Sequence, residues 1–272
     1  MPGDTAVVEH VESSDGTPIA YWRSGQGPPF VLLHGATSAH WSFDLLVPLL
    51  VDRFTIFAVD RRGRGESGDR GKYAIEREFE DAAAVVDSIG EPASLFGHSY
   101  GATVALGAAL VAGNLRKLIL YEGSPGVTAA PPEDLDRVDE LVAAGEREGA
   151  LVHALRSFGF TAEELQQLRA APSWPKRVAA AQTVAREARA EEAWHLDPER
   201  LAAVTTPTLL LLGDQSPAWA SEGTEQIRAA LPNARVAILP GQAHMAHLTA
   251  PELLADEIAR FLSDSTAAAA TR

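Results

Sequence analysis

The chain has 272 residues, long enough to bury a sizeable core as one large α/β domain or two small ones, and its 46% apolar and 22% charged residues are an ordinary globular composition rather than that of a disordered or fibrous chain. Its 37 acidic against 23 basic side chains give a formal charge of -14, which argues against nucleic acid and anionic membranes as general partners. It contains no cysteine, which excludes disulfides, thiolate catalysis and cysteine-ligated metal and leaves the redox compartment open.

The segment Met1 to His10 lacks a basic stretch followed by an apolar run, and no apolar stretch reaches the roughly 18 residues of a membrane span. A soluble, cytoplasmic protein is expected. Two β-rich runs, Ala6 to Glu12 and Thr17 to Trp22, flank Ser14-Asp15-Gly16 and read as a hairpin. Phe30 to Leu33 and Phe54 to Val59 are short, unbroken apolar runs, as in strands buried on both faces. Ile75 to Ile89 has helical spacing, with Ile75, Phe79, Ala82, Val85, Val86 and Ile89 on one side. A strand at Ala93 to Phe96, a helix at Ala102 to Ala112 and a strand at Leu115 to Tyr121 follow. Near the C-terminal end come Thr208 to Leu212 (strand), Glu222 to Ala230 (helix), Arg235 to Leu239 (strand) and Pro251 to Leu262 (helix). Such alternation predicts a mostly parallel sheet covered by helices on both faces.

Between Ser124 and Thr206 the alternation stops, and an Ala-, Glu- and Arg-rich stretch is broken at Pro131-Pro132, Pro172, Pro175 and Pro198. Because a strand returns at Thr208, residues 124–206 read as an inserted helical cap of about four short helices on a core made of 1–123 and 207–262. The tail 263–272 is small, polar and expected to fray.

The chemistry concentrates at Gly97-His98-Ser99-Tyr100-Gly101, a G-x-S-x-G placed between a predicted strand and a predicted helix. A sharp turn there lifts the serine hydroxyl above the sheet edge beside backbone donors at a helix N-terminus. A serine hydroxyl needs an imidazole to take its proton, and the imidazole needs a carboxylate to fix its tautomer. Asp214 follows the run Leu209 to Leu212 and Gly213, and His244 lies in a loop past Arg235 to Leu239, in the order Ser, Asp, His. Ser99, Asp214 and His244 are the expected nucleophile, acid and base. Glu122, one strand earlier, is a rival acid, assigned instead to ordering the loop entering the insertion. His247 is a rival base, set aside because it would open the final helix. The bland alternative makes the glycines packing devices, Asp214 a turn residue and His244 a loop histidine.

Together with His34-Gly35, Asp60-Arg61-Arg62-Gly63-Arg64-Gly65-Glu66-Ser67, Gly213-Asp214 and Ala243-His244, this pattern resembles the α/β-hydrolase superfamily over nearly the whole chain, in the branch of small cap-bearing esterases, C–C bond hydrolases and cofactor-free haloperoxidase-like enzymes. The resemblance implies the backbone N–H groups of Ala36 and Tyr100 as oxyanion donors. Ala243 stands where that family usually has glycine. The arginines of the 60–67 turn match no phosphate-loop pattern and are read as structural. His244 and His247 lack a third ligand at sensible spacing, so neither a metal nor a cofactor is expected. Trp41, Phe158, Phe160, Trp174, Trp194, Trp219 and His247 are candidates for a substrate pocket.

The resulting expectation is a hydrolase of a small, mainly apolar ester, lactone or thioester working through an acyl-enzyme. A C–C hydrolase or perhydrolase with the same three groups, an acyl-transferring cyclase, and a non-catalytic binding protein on this scaffold are the alternatives. The expected partner is a small molecule, and a homo-oligomer stays open.

Overall fold

A computed structural model describes residues 7–128 and 130–264. Eight strands form one sheet: β1 (Val7–Glu12), β2 (Pro18–Gly25), β3 (Pro29–Leu33), β4 (Thr55–Val59), β5 (Ala93–His98), β6 (Leu115–Tyr121), β7 (Thr208–Gly213) and β8 (Ala234–Leu239). Their order is β1-β2-β4-β3-β5-β6-β7-β8. The β1–β2 hairpin and its pairing with β4 are antiparallel, and every later pairing is parallel. Ala6 and residues 265–272, which the first expected strand and the tail include, lie outside the described residues.

The unbroken apolar strands are explained by two cores. In β3, Val31 and Leu33 join the cluster under α1 (Ile75–Ser88) and α2 (Tyr100–Ala108), while Phe30 and Leu32 join the cluster on the opposite face. Successive strand side chains point to opposite faces, so a central strand covered on both sides has no polar row.

Among the described residues between β6 and β7 there are six α-helices rather than about four, α3 (Pro132–Ala143), α4 (Arg147–Ser157), α5 (Ala162–Ala170), α6 (Trp174–Ala179), α7 (Val184–Ala193) and α8 (Pro198–Ala202), with a short 3-10 turn at Ala180–Thr183. Most of them share a third core, with Leu135, Val138, Leu151, Leu155 and Trp174 buried among them. Each proline noted in the sequence stands at one of the first two positions of a helix or within two residues before one, where its missing N–H costs nothing. After β7 come α9 (Ala218–Ala230), which starts four residues earlier than expected, then α10 (Ala246–Thr249) and α11 (Pro251–Ser263).

The arginine-rich turn after β4 is structural, and its charges join the insertion to the sheet. Arg61 donates to Glu78 Oε2 at 2.7 Å and to Glu187 Oε2 at 3.1 Å, and Arg64 donates to Glu187 Oε1 at 2.7 Å. Arg62 is gripped by Asp81 and Asp15. Asp60 accepts from the backbone N–H groups of His40 at 2.8 Å and Glu66 at 3.1 Å, which closes the turn. Glu187 sits on α7 with none of its surface exposed. Burial alone would raise its pKa, but Arg61 and Arg64 hold it down to about 2.

Glu187→Gln strips the charge and leaves two buried guanidiniums short of a counter-ion. It is expected to lower unfolding free energy by about 3–5 kcal/mol in urea denaturation at neutral pH. Because the folded pKa is depressed, the contribution of Glu187 is complete above about pH 4.5 and lost as pH falls toward 2, so the gap between wild type and variant narrows over that window.

Candidate active site

Gly97 and Gly101 set the local geometry around Ser99. A methyl on Gly97 would stand 2.1 Å from the carbonyl oxygen of Gly101, and one on Gly101 would stand 2.5 Å from those of Leu33 and His34. With β5 and α2 this close, the connecting residue is forced into a tight reversal, and Ser99 has φ 55 and ψ -127. Such a conformation is costly for a side chain other than glycine and persists only where the surroundings over-determine it. The helix starts at Tyr100, two residues earlier than expected, so Ser99 stands directly at its N-terminal end. The first N–H groups of a helix have no intrahelical acceptor and remain available for an anion.

Gly35 brings the loop after β3 against this turn, since a methyl there would come within 3.0 Å of Ser99 Cβ. Ala36 follows it and Thr37 turns the chain at φ 58. His34 donates from Nδ1 to the carbonyl of Gly35 at 2.8 Å and accepts from Arg61 N–H on Nε2 at 3.1 Å, which fixes one neutral tautomer. Arg61 also donates to the carbonyls of His34 and Gly35 at 2.8 and 3.2 Å.

The acid beside the histidine is Glu122, and here the expectation of Asp214 is corrected. His244 donates from Nδ1 to Glu122 Oε2 at 2.6 Å. Glu122 Oε1 accepts from Gly213 N–H at 2.8 Å and from Ser216 Oγ at 2.5 Å, so a carboxylate that is only 1% exposed has partners on both oxygens. Asp214 is exposed. Its Oδ1 accepts from the N–H of Gly241 at 2.8 Å, which secures the start of the loop that carries His244.

The physical reason lies in the backbone. Glu122 has φ 53, a left-handed bend one residue past β6, so its side chain and that of Tyr121 both reach the His244 loop, where a regular strand would send them to opposite faces. Tyr121 donates to the carbonyl of Ala243 and accepts from Ala246 N–H at 3.1 Å, which clamps that loop from below. The sequence carries a signal for Glu122, a carboxylate directly after the apolar strand that ends at Tyr121, but Gly213-Asp214 carries the same signal in the chain order expected of the acid, and the sequence alone favours Asp214.

Ser99 and His244 line one cavity, roofed by the helical insertion. Ala36 and Tyr100 line it as well. Of the expected pocket residues, Phe158, Phe160, Trp219 and His247 are in its wall, while Trp41, Trp174 and Trp194 are not. Trp174 is buried in the core of the insertion, with its indole N–H on Glu148 at 3.2 Å, and Trp194 packs edge-on against Phe79 at 4.9 Å. Trp41 lies under Arg177, 5.0 Å from guanidinium to ring centre. Large aromatics pack in several kinds of place, beside another ring, under a guanidinium or where an indole N–H finds a carboxylate, and a cavity wall is only one of them.

Val127, Leu155, Leu168, Val184 and Ala188 give the cavity an apolar surface, and Arg177 and Glu191 are charged-type residues in it that the sequence did not single out. Glu191 accepts from Thr103 Oγ1, and burial raises its pKa. Three imidazoles meet at the floor. His98 lies 4.6 Å from His244 and 4.4 Å from His247, ring centre to ring centre, and donates from Nε2 to the carbonyl of His244 at 2.8 Å. His247 belongs to α10, which ends at Thr249, one residue short of Pro251, rather than to the final helix. Among the described residues no group of three or more His, Asp or Glu could hold a metal ion, and no helix is long and apolar enough to cross a membrane.

Residues 30–257 match the model of the alpha/beta hydrolase family. A solved alpha/beta hydrolase from Sphaerobacter thermophilus is 37% identical, with a TM-score of 0.83 over 94% of this chain and 100% of that one. The 2-(acetamidomethylene)succinate hydrolase of Mesorhizobium japonicum is 26% identical over 253 residues, 88% of this chain and 90% of its own length. The match to the probable oxidoreductase EphD of Mycobacterium tuberculosis is 35% identical but spans 108 residues, only 18% of that longer protein. With its eight-stranded, mostly parallel sheet, its serine turn between β5 and α2 and a family match over most of its length, the chain belongs to the alpha/beta hydrolase family.

Proposed function

We infer that the chain is a serine hydrolase that opens a carboxylic ester, lactone or thioester through an acyl-enzyme on Ser99, with His244 as general base and Glu122 as the carboxylate that orients it. The observation that carries this reading is the 2.6 Å hydrogen bond from His244 Nδ1 to a fully buried, fully partnered Glu122, in the same cavity wall as the strained Ser99.

With its proton held on Nδ1 by Glu122, the His244 ring keeps the lone pair on Nε2, the atom that takes the Ser99 proton as the hydroxyl oxygen attacks the carbonyl. Negative charge then develops on the former carbonyl oxygen, for which the N–H groups of Ala36 and Tyr100 are the proposed donors, each worth roughly 10²–10³ in rate. Collapse expels the alcohol or thiol, which takes the proton back from His244. Water, deprotonated by the same imidazole, then releases the acid and restores Ser99. The insertion acts as a cap whose apolar wall receives the hydrocarbon part of the substrate and limits competing water.

The neighbouring imidazoles sharpen this arrangement by staying neutral. Burial, followed by the field of His247 and His244, holds His98 well below its ordinary pKa, and burial, Arg177 and His244 hold His247 down to about 3. The positive charge of the transition state is thereby confined to His244, beside the one carboxylate placed to balance it.

Ser99→Ala is expected to abolish both labelling by a fluorophosphonate probe and turnover of p-nitrophenyl butyrate; persistence of either refutes the nucleophile. Glu122→Gln is expected to lower kcat by about 10³–10⁴-fold, while Asp214→Asn stays within a few-fold of wild type. The reverse ranking would restore Asp214 as the acid.

The buried histidines also predict a pH dependence of stability. Below pH 6.5 the unfolded chain binds protons at His98 and His247 that the folded chain refuses, so stability is highest above that value and falls on acidification toward about pH 3. The slope approaches about 1.4 kcal/mol per pH unit per histidine. Urea midpoints between about pH 6.5 and 5.5, above the range where ordinary carboxylates protonate, should fall in the wild type and fall less steeply in His247→Gln. Equal slopes in the two proteins would contradict the prediction.

A further inference from the structure

Arg177 stands apart from the other buried guanidiniums. It is only 3% exposed, as Arg61, Arg62 and Arg64 are at 2%, 1% and 3%. Those three each donate to at least one carboxylate at 2.9 Å or less. Among the described residues Arg177 has long contacts to Thr37, 3.5 Å to the carbonyl and 3.4 Å to the hydroxyl, and the face of Trp41, while its Nε has no partner. Burial lowers its pKa to about 10, so the group is charged at neutral pH, and among the described residues no carboxylate is bonded to it. A buried charge without a counter-ion costs stability, and an apolar side chain would serve α6 better if packing were the only demand.

The same residue lines the cavity that holds Ser99 and His244. Two further buried polar atoms in that wall, Ser38 Oγ and His247 Nδ1, have no partner either. The acidic side chain in the wall, Glu191, is engaged with Thr103 and is pushed toward its neutral form by burial, so it does not compete for the guanidinium. His98 and His247, the titratable groups whose fields Arg177 touches, are neutral.

The geometry points to a substrate that carries a carboxylate of its own, apart from the bond to be cleaved, and Arg177, in the same cavity wall as the unpartnered Ser38 hydroxyl, is the subsite that receives it. This deepens the serine-hydrolase reading and rests on it. A planar guanidinium matches a carboxylate through two parallel N–H donors, and in a dry cavity such a pair is stronger than at a surface. The apolar wall at Val127, Leu155 and Val184 then holds the hydrocarbon portion, so the favoured ligand is an amphiphilic acid ester rather than a neutral one.

Two matched substrate pairs test this, one with the carboxylate on the acyl side (p-nitrophenyl hydrogen glutarate against p-nitrophenyl pentanoate) and one with it on the leaving group (p-acetoxybenzoate against p-tolyl acetate). In at least one pair kcat/KM should favour the charged member by about 10- to 100-fold, and Arg177→Met should collapse that ratio. Ratios near one in both pairs, or a preference that survives in Arg177→Met, overturn the subsite.

Binding is read separately in the Ser99→Ala background, so that failure of the hydrolase reading does not hide the result. Monomethyl glutarate should raise Tm, and it should lose that effect when Arg177→Met is added. Stabilisation by chloride at the same concentration to the same extent would reduce the site to one for simple anions and overturn the proposal. In the absence of ligand Arg177→Met should keep or raise Tm. A fall in Tm with an unchanged substrate preference would assign Arg177 to bracing the Thr37 loop instead.

Discussion

The structure turns on the closeness of β5 and α2 at the residues around Ser99. Backbone packs against backbone there with no room for a single methyl on Gly97 or Gly101, and the serine between them has no choice but a left-handed turn. The cost of that turn is small beside what enforces it, the two buried cores that fix β5 from both faces. Every other feature of the cavity is arranged around this point: the loop after β3 comes up against it, the imidazole loop is clamped by Tyr121 and Glu122 from the next strand, and the insertion closes over it.

Charge is distributed in two contrasting ways. Arg61, Arg62, Arg64 and their carboxylates form compensated networks that join segments far apart in the chain. In the cavity the pattern reverses: among the described residues Arg177 has no carboxylate bonded to it and its Nε is unpartnered, and Ser38 Oγ and His247 Nδ1 in the same wall lack partners. Buried polar groups are as a rule satisfied within the protein, so a cluster of exceptions at one place marks where the fold gives up stability to something else.

Sequence reasoning located what depends on local chemistry. Alternating apolar runs gave the sheet and its helices, and Gly97, Ser99, Gly101 and His244 stood out because strand, turn and helix signals surround them. The choice between Glu122 and Asp214 was not legible: both follow an apolar strand at the same sheet edge, and what separates them, the φ of 53 at Glu122, its bond from His244 and the bond Asp214 accepts from Gly241, is encoded in neither composition nor period. Trp41, Trp174 and Trp194 were misplaced for a related reason, since aromaticity indicates burial but not which of several buried places receives the ring. Arg177 escaped notice because a lone arginine in an Arg-rich helical stretch looks solvated until its neighbours are known.

Arg61 unites two duties in a single guanidinium, holding Glu187 of the insertion on one side and the carbonyls of His34 and Gly35 on the other. The roof and the loop that carries Ala36 therefore share an anchor and do not form independent modules. A chimera that exchanged residues 124–206 for a helical segment of equal length but without an acid at the place of Glu187 would disturb more than the shape of the binding space. It would also loosen the peptide beside Ser99, so grafting of new specificities onto this scaffold has to carry that one carboxylate along.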